Sequence, residues 1–284
     1  MDVLIIGKNG QVAWELIRTT PEQVKAIALG RTDIDITSAE NIKAAVLHYQ
    51  PKVIINASAY TAVDKAETDK EAAYLINATA VELLAKIACQ HNIRLIHVST
   101  DFVFDGTKST PYRVDDVTNP INVYGASKLA GEEAIKKYSP DNACVVRTSW
   151  VYSSHGNNFV KTMLRLMSER EQLSVVADQV GSPTSANGLA KYLWKLAEQD
   201  TLEPVYHYQD LGVASWYDFA VEIQKKSVEL GLLGNKIPIE PISSEQYPTP
   251  AKRPSYSLMN CNNDTFTKVH WTEALYQMLL SKTK

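Results

Sequence analysis

Val3-Leu4-Ile5-Ile6-Gly7-Lys8-Asn9-Gly10-Gln11-Val12-Ala13 is the stretch that decides the fold. Four apolar residues without alternation read as a strand covered on both faces, which is the setting of a parallel sheet. The run breaks at Gly7 and gives way to a helical pattern over Gln11–Thr19. Gly7 permits a tight turn, Gly10 lets backbone approach a pyrophosphate, and the small Ala13 lets helix and strand pack closely. Asn9, Gln11 and Val12 belong to the same loop. A glycine turn by itself is an ordinary strand–helix connection. The strand before it and the helix after it favour a dinucleotide cradle.

The same alternation continues to residue 150. Apolar runs at Ala26–Leu29, Val53–Asn56, Leu95–Ser99 and Cys144–Arg147 alternate with helical stretches near Ser38–Tyr49, Lys70–His91 and Val123–Lys137. Ser38 followed by Asn41 gives a partial cap, and Pro51 ends that helix. The predicted class is α/β: a doubly wound, mostly parallel Rossmann-type sheet with right-handed crossovers. After Trp150 the chain becomes rich in loops, with only short helices and strands expected between them. We divide it into a dinucleotide-binding domain over 1–150 and a mainly substrate-binding region over 151–284. The two are interleaved, since short strands after residue 170 can return to the first sheet. Asn260–Lys284 reads as a polar turn followed by a closing helix.

Bulk properties narrow the function. The chain has 284 residues, a net charge of -3 and 21% charged residues. That balance offers no pull toward nucleic acid or acidic membranes. No segment approaches a membrane span of about 20 apolar residues. Cys89, Cys144 and Cys261 lie far apart, so neither a disulfide framework nor a metal site is expected, and a cytoplasmic setting fits.

The cofactor is read from the second strand. A carboxylate at its end would take a ribose 2'-hydroxyl, whereas Gly30-Arg31 stands here, and a guanidinium suits a 2'-phosphate. NADPH is therefore expected, while Asp33 and Asp35 leave NADH open. Ala59, Tyr60 and Thr61 follow the third long strand and are placed on the nicotinamide side.

The chemistry is read from Ser99-Thr100-Asp101 and Tyr124-Gly125-Ala126-Ser127-Lys128. Tyr124 and Lys128 share one helix face. With 14 Tyr in the chain, about one such Tyr–Lys pair arises by chance, so position carries the weight. Thr100 ends a parallel strand, where ligands bind in such sheets, and can hydrogen-bond a reacting carbonyl oxygen. Tyr124 can deliver the proton that carbonyl reduction requires, with its phenol lowered from about 10 by a nearby ammonium. Lys128 supplies that ammonium and can hold the nicotinamide ribose.

These segments resemble the dTDP-4-dehydrorhamnose reductase family, extended members of the short-chain dehydrogenase/reductase superfamily. The resemblance runs nearly end to end. It includes Asn56–Glu67, Ser99-Thr100-Asp101 with Val103-Phe104, Asn122–Gly125, Lys128–Glu132, Arg147–Tyr152, Gly156–Arg165, Gly181–Thr184 and Tyr247–Ala251. It implies an NADPH-dependent reduction of the 4-keto group of dTDP-4-dehydro-L-rhamnose. Thr100, Tyr124 and Lys128 would be the catalytic trio, and Asp101 and Trp150 would contact the sugar. Gln11, Val12, Asp35, Ile36, Ala59, Tyr60 and Thr61 would line the dinucleotide. Asn158, Lys161 and Arg253 would reach the diphosphate or nucleotide. On residues alone, Trp150 is equally a core residue, Asn158 a helix cap, and Lys161 and Arg253 solvated charges.

Three positions depart from the family pattern. Phe102 stands for the usual Tyr, and Ala13 for the third glycine. Glu15 is present but Asn187 replaces a second Glu, which speaks against a metal-bridged dimer and leaves a homodimer of another kind open. Two alternatives accompany the main reading: a reductase of another nucleotide-linked keto-deoxysugar, and a non-catalytic regulatory subunit of the same fold, like the relative that serves methionine adenosyltransferase.

Overall fold

A computed structural model describes residues 1–261 and 266–283. The first half contains β1 (Asp2–Ile6), α1 (Gln11–Arg18), β2 (Lys25–Leu29), α2 (Ala39–Tyr49), β3 (Val53–Asn56), α3 (Val63–Ala66), α4 (Lys70–Tyr74), α5 (Ala80–Gln90), β4 (Arg94–Thr100), α6 (Val123–Tyr138) and β5 (Ala143–Thr148). The second half contains β6 (Val151–Tyr152), α7 (Phe159–Glu169), β7 (Leu173–Val176), β8 (Val180–Gly181), β9 (Thr184–Ser185), α8 (Ala186–Glu198), β10 (Val205–His207), β11 (Ala214–Ser215), α9 (Trp216–Glu229), β12 (Ile239–Ile242) and α10 (Trp271–Leu280).

Six strands form one sheet in the order β10-β5-β4-β3-β1-β2. Every pairing within it is parallel. The predicted strands are those observed, longer by one residue at some ends. Each is an apolar run because helices cover both faces. One face packs Leu4, Ile54 and Leu95 against residues of α2, α5 and α6. The other packs Ile5, Ile55 and Ile96 against α1 and α8. Strand order reverses beside β1, which lies between β2 and β3, so a crevice opens beyond the carboxyl ends of β1 and β3.

The expected return of a late strand is observed: Val205–His207 adds to the edge of β5. Interleaving goes further than one strand, since α8 packs on α1 and supplies Leu189, Leu193 and Leu196 to the sheet core. Only short helices and strands were expected after Trp150, but α7, α8, α9 and α10 have 11, 13, 14 and 10 residues. Helix α8 is long because it covers the sheet, whereas α7, α9 and α10 gain their length from a third apolar core, built around Val160, Phe219, Ile223 and Leu275. The closing helix is α10, and part of the polar turn expected before it lies outside the described residues.

Two further expectations are corrected. The single helix read over Lys70–His91 is α4, a π-helical turn at Leu75–Thr79, and α5. The stretch Lys70–Gln90 is also long and apolar enough to cross a membrane by length and composition, contrary to the sequence-based expectation. Its apolar residues Ala80, Val81, Leu84, Ala85, Ile87 and Ala88 are spent on the sheet core, as in a core helix of a globular protein.

Candidate active site

The glycine loop sits at the crevice. Gly7 has φ +104°, and a Cβ there would lie 2.9 Å from the backbone of Ala57 and Ser58 at the exit of β3. Only glycine combines that dihedral with that approach. Helix α1 starts at Gly10, which has no side chain to cap it. Its first N–H groups therefore face the crevice without a side-chain acceptor, as an anion cradle requires. The residues present thus fit a dinucleotide pyrophosphate.

At the end of β2, Arg31 is exposed and makes no ion pair among the described residues. Lys8, from the glycine loop, approaches Asp33 at 3.7 Å. Asp33 turns back to accept the Gly30 N–H at 2.8 Å, and Asp35 accepts the Thr37 N–H and hydroxyl at 2.9 and 2.7 Å. Both carboxylates are thereby engaged by their own turns, while two cations, Lys8 and Arg31, stand at the end of β2. Lys8 was not singled out from sequence. Ile36 is buried in the core, with Asp35 exposed beside it.

The turn after β3 is clamped rather than loose. Asn77, buried in the π-helical turn, accepts the Tyr60 N–H at 2.9 Å and donates to the Tyr60 carbonyl at 3.1 Å. The same amide donates to the Ser127 hydroxyl at 3.0 Å. One side chain therefore ties the turn carrying Ala59, Tyr60 and Thr61 to the helix carrying Tyr124 and Lys128. Such π turns recur at functional sites.

Helix α6 lies close against the end of β4 because two glycines let it. A Cβ at Gly125 would stand 2.1 Å from the Phe102 carbonyl oxygen, and one at Gly131 would stand 2.2 Å from that of Asn77. Asn122 caps the helix by accepting the Gly125 N–H at 2.7 Å, and Glu67 accepts the Val123 N–H at 2.8 Å. Tyr124 is thereby brought beside the Thr100 hydroxyl, which acts on the phenol, while the Phe102 ring stands edge-on 5.7 Å away. Lys128 is buried and donates to the Val98 carbonyl at 2.7 Å, two residues before Thr100. Its nitrogen also lies 3.0 Å from Nε2 of His97. Hydroxyl, phenol and amine are gathered at the carboxyl end of β4, next to the crevice.

The electrostatics correct one expectation. A lowered phenol was expected at Tyr124, yet burial pushes it up to about 12, with the Thr100 hydrogen bond working against the rise and the Asp101 charge adding to it. Burial also brings the Lys128 ammonium down to about 8, partly offset by Glu132. The amine is turned to His97 and Val98, so its charge does not lower the phenol here. Asp101, almost fully buried, is pushed up to about 6 by burial, against hydrogen bonds from Ser257 and Thr100.

Trp150 holds φ +48°, unusual for a bulky residue, and stacks on Trp216 at 3.7 Å between ring centroids. Three other candidates are engaged within the protein. Asn158 caps α7 through the Lys161 N–H and donates to Gln11 and the Ser153 carbonyl. The Lys161 ammonium donates to the Gly156 carbonyl at 2.6 Å. Arg253 grips Asp64 with two bonds of 2.8 and 3.0 Å. These placements accord with the cap reading of Asn158 and give both cations structural partners. Glu15 accepts from Ser153 at 2.7 Å and from Asn187 at 3.0 Å, so both of its oxygens meet donors.

A family profile described as RmlD substrate binding domain matches residues 1–283. The chain belongs to that family. A dTDP-4-dehydrorhamnose reductase of Escherichia coli strain K12 is 43% identical over 272 residues, covering 92% of this chain and 89% of the relative. A spore coat polysaccharide biosynthesis protein of Bacillus subtilis is 35% identical, over 99% and 98% of the two chains. Among solved structures, a dTDP-4-dehydrorhamnose reductase of Bacillus anthracis in complex with NADP superposes with a TM-score of 0.93 at 36% identity, covering 99% of both chains. The family therefore agrees with the fold and with a reductase.

Proposed function

We propose that this chain uses NADPH to reduce the 4-keto group of dTDP-4-dehydro-L-rhamnose, giving dTDP-L-rhamnose for cell-surface polysaccharide. The observation that carries the reading is the meeting of Thr100, Tyr124 and Lys128 at the end of β4, beside the uncapped start of α1. Relatives over nearly the whole chain carry the reductase name, and a neighbouring structure holds NADP.

NADPH, when bound, supplies the hydride. The Thr100 hydroxyl donates to the carbonyl oxygen, and Tyr124 gives that oxygen its proton. Lys128 as ammonium steadies the phenolate that results. We place the sugar between Asp101 and Trp150, at the mouth formed by residues 151–284, and the 2'-phosphate at Arg31 with Lys8. A cytoplasmic setting is consistent with this role.

The test is NADPH oxidation on adding keto-sugar nucleotide made in situ from dTDP-glucose, followed by product analysis. Turnover with the dTDP sugar supports the reading. Turnover only with a UDP or GDP keto-sugar would move the enzyme to another substrate, and none with any of them would favour a non-catalytic role.

A further inference from the structure

Two polar residues interrupt the apolar strands beneath the site, and the trio does not use them. Asn56 ends β3 and His97 lies in β4; both are buried, the latter completely. Asn56 Nδ2 is 3.0 Å from His97 Nδ1, and His97 Nε2 is 3.0 Å from Lys128 Nζ. The orientation of the Asn56 amide is fixed from its other end, where Oδ1 accepts the Ser58 N–H at 3.1 Å and the Ser58 hydroxyl at 2.6 Å. A backbone N–H can only donate, so Nδ2 must face His97. Nδ1 of His97 then accepts, and in a neutral imidazole the proton resides on Nε2. That N–H points at Lys128. An ammonium has no lone pair with which to receive it, whereas a neutral amine does.

We propose that Asn56 and His97 are positioning residues that fix the imidazole with its proton on Nε2 and so dock Lys128 against β4 as a neutral amine. This rests on the reading of Lys128 as the ammonium of the reaction. Once protonated, Lys128 meets donor against donor at His97 and is released from that contact, keeping three N–H groups for the Val98 carbonyl and the cleft. The dock thus couples the charge of Lys128 to its position.

The neighbouring charges do not replace this control. Tyr124 precedes Lys128 by one turn and Glu132 follows it by one, but Glu132 is held by Arg147 of β5 at 2.7 Å. Asp101 faces Tyr124. Behind α6, Asp64 is taken by Arg253, Glu82 by Lys86 and Asp69 by Lys65. Lys70 and Glu71 on α4 are exposed. Burial lowers His97, which keeps it neutral, and brings Lys128 down to about 8, so that the docked neutral amine is reached above that pH.

The direct experiment uses the unaltered chain without cofactor. Nitrogen-15 NMR of histidine side chains, assigned by loss of one set in His97→Gln, should show a neutral His97 with the proton on Nε2 at pH 8.5. A proton on Nδ1, or an imidazolium, would overturn the proposal without touching the reductase reading. In activity assays, Asn56→Asp places an acceptor against Nδ1, reverses the tautomer and leaves Nε2 free to accept from an ammonium. The basic limb of kcat/KM should then move up by a pH unit or more, and by much less in a His97→Leu background, where only the added charge acts. Equal movement in both backgrounds would count against the tautomer, and an unmoved limb in Asn56→Asp against any control by this pair. A chain that turns over no sugar leaves the NMR result to decide.

Discussion

Tyr124 carries its proton firmly, with a phenol near 12 in these surroundings. It is thus a filled proton donor throughout the neutral range, and its acidity must be raised during turnover by positive charge brought to it. Replacing it by Phe keeps the ring against Phe102 and removes only the hydroxyl that carries the proton. Tyr124→Phe is expected to lower kcat by about 10²–10⁴-fold while NADPH binding, followed by fluorescence titration, stays close to that of the unaltered chain. Near-normal turnover would remove Tyr124 from its role. At the end of β2, where we propose that the 2'-phosphate binds, Arg31 makes no ion pair among the described residues, while Asp33 and Asp35 are engaged by Gly30 and Thr37. Arg31→Asp should cut kcat/KM for NADPH by roughly 10–100-fold, the size of a lost charge-assisted contact, and raise it for NADH. An unaltered enzyme with the higher kcat/KM for NADH would refute this placement of the phosphate.

At the scale of elements, the site depends on how near α6 can come to β4 and to the π-helical turn. Gly131 touches the Asn77 carbonyl so closely that an added methyl carbon would lie 2.2 Å away. Backbone cannot yield as a flexible side chain can, so Gly131→Ala must push the helix from the turn. A loss of about 1–3 kcal/mol is expected, read as a lower Tm, together with reduced turnover, because the Asn77 link to Ser127 and Tyr60 stretches. An unchanged Tm would mean that α6 is less tightly seated. The same contacts explain what was legible in the sequence. Strands, the glycine loop and the Tyr124–Lys128 face depend on neighbours within a few residues, and each was readable. Asn77 acts on Tyr60 and Ser127, 17 and 50 positions away, and His97 acts on Asn56 and Lys128 across 41 and 31. A polar residue inside a buried apolar strand, as in Leu95-Ile96-His97-Val98, was the available signal. The pairing of Arg253 with Asp64 spans 189 positions, so nothing local in the sequence signalled it.

The whole molecule is stitched by its second half returning to the first, and that stitching carries a pH dependence. Asp210 lies just beyond β10, where its carboxylate accepts the Ser185 N–H at 2.8 Å, at the start of α8, and meets the Tyr208 hydroxyl. Burial pushes it up to about 7, against those two hydrogen bonds, from an ordinary value of 3.8. The folded chain thus holds a proton that the unfolded chain releases between those values. The stability it confers is complete below about pH 4 and is lost as pH rises through about 7. Asp101, raised to about 6, acts in the same direction. Asn at position 210 can still accept from Ser185 with its oxygen and donate to Tyr208 with its nitrogen, and it carries no titrating proton. Asp210→Asn should therefore flatten the fall in stability between pH 4 and 7 and gain about 1–4 kcal/mol relative to the unaltered chain on going from pH 5 to pH 8. Unfolding midpoints measured for both chains across that range decide it. Parallel curves would show that Asp210 is already ionised in the folded state, satisfied by Ser185 and Tyr208 in spite of its burial.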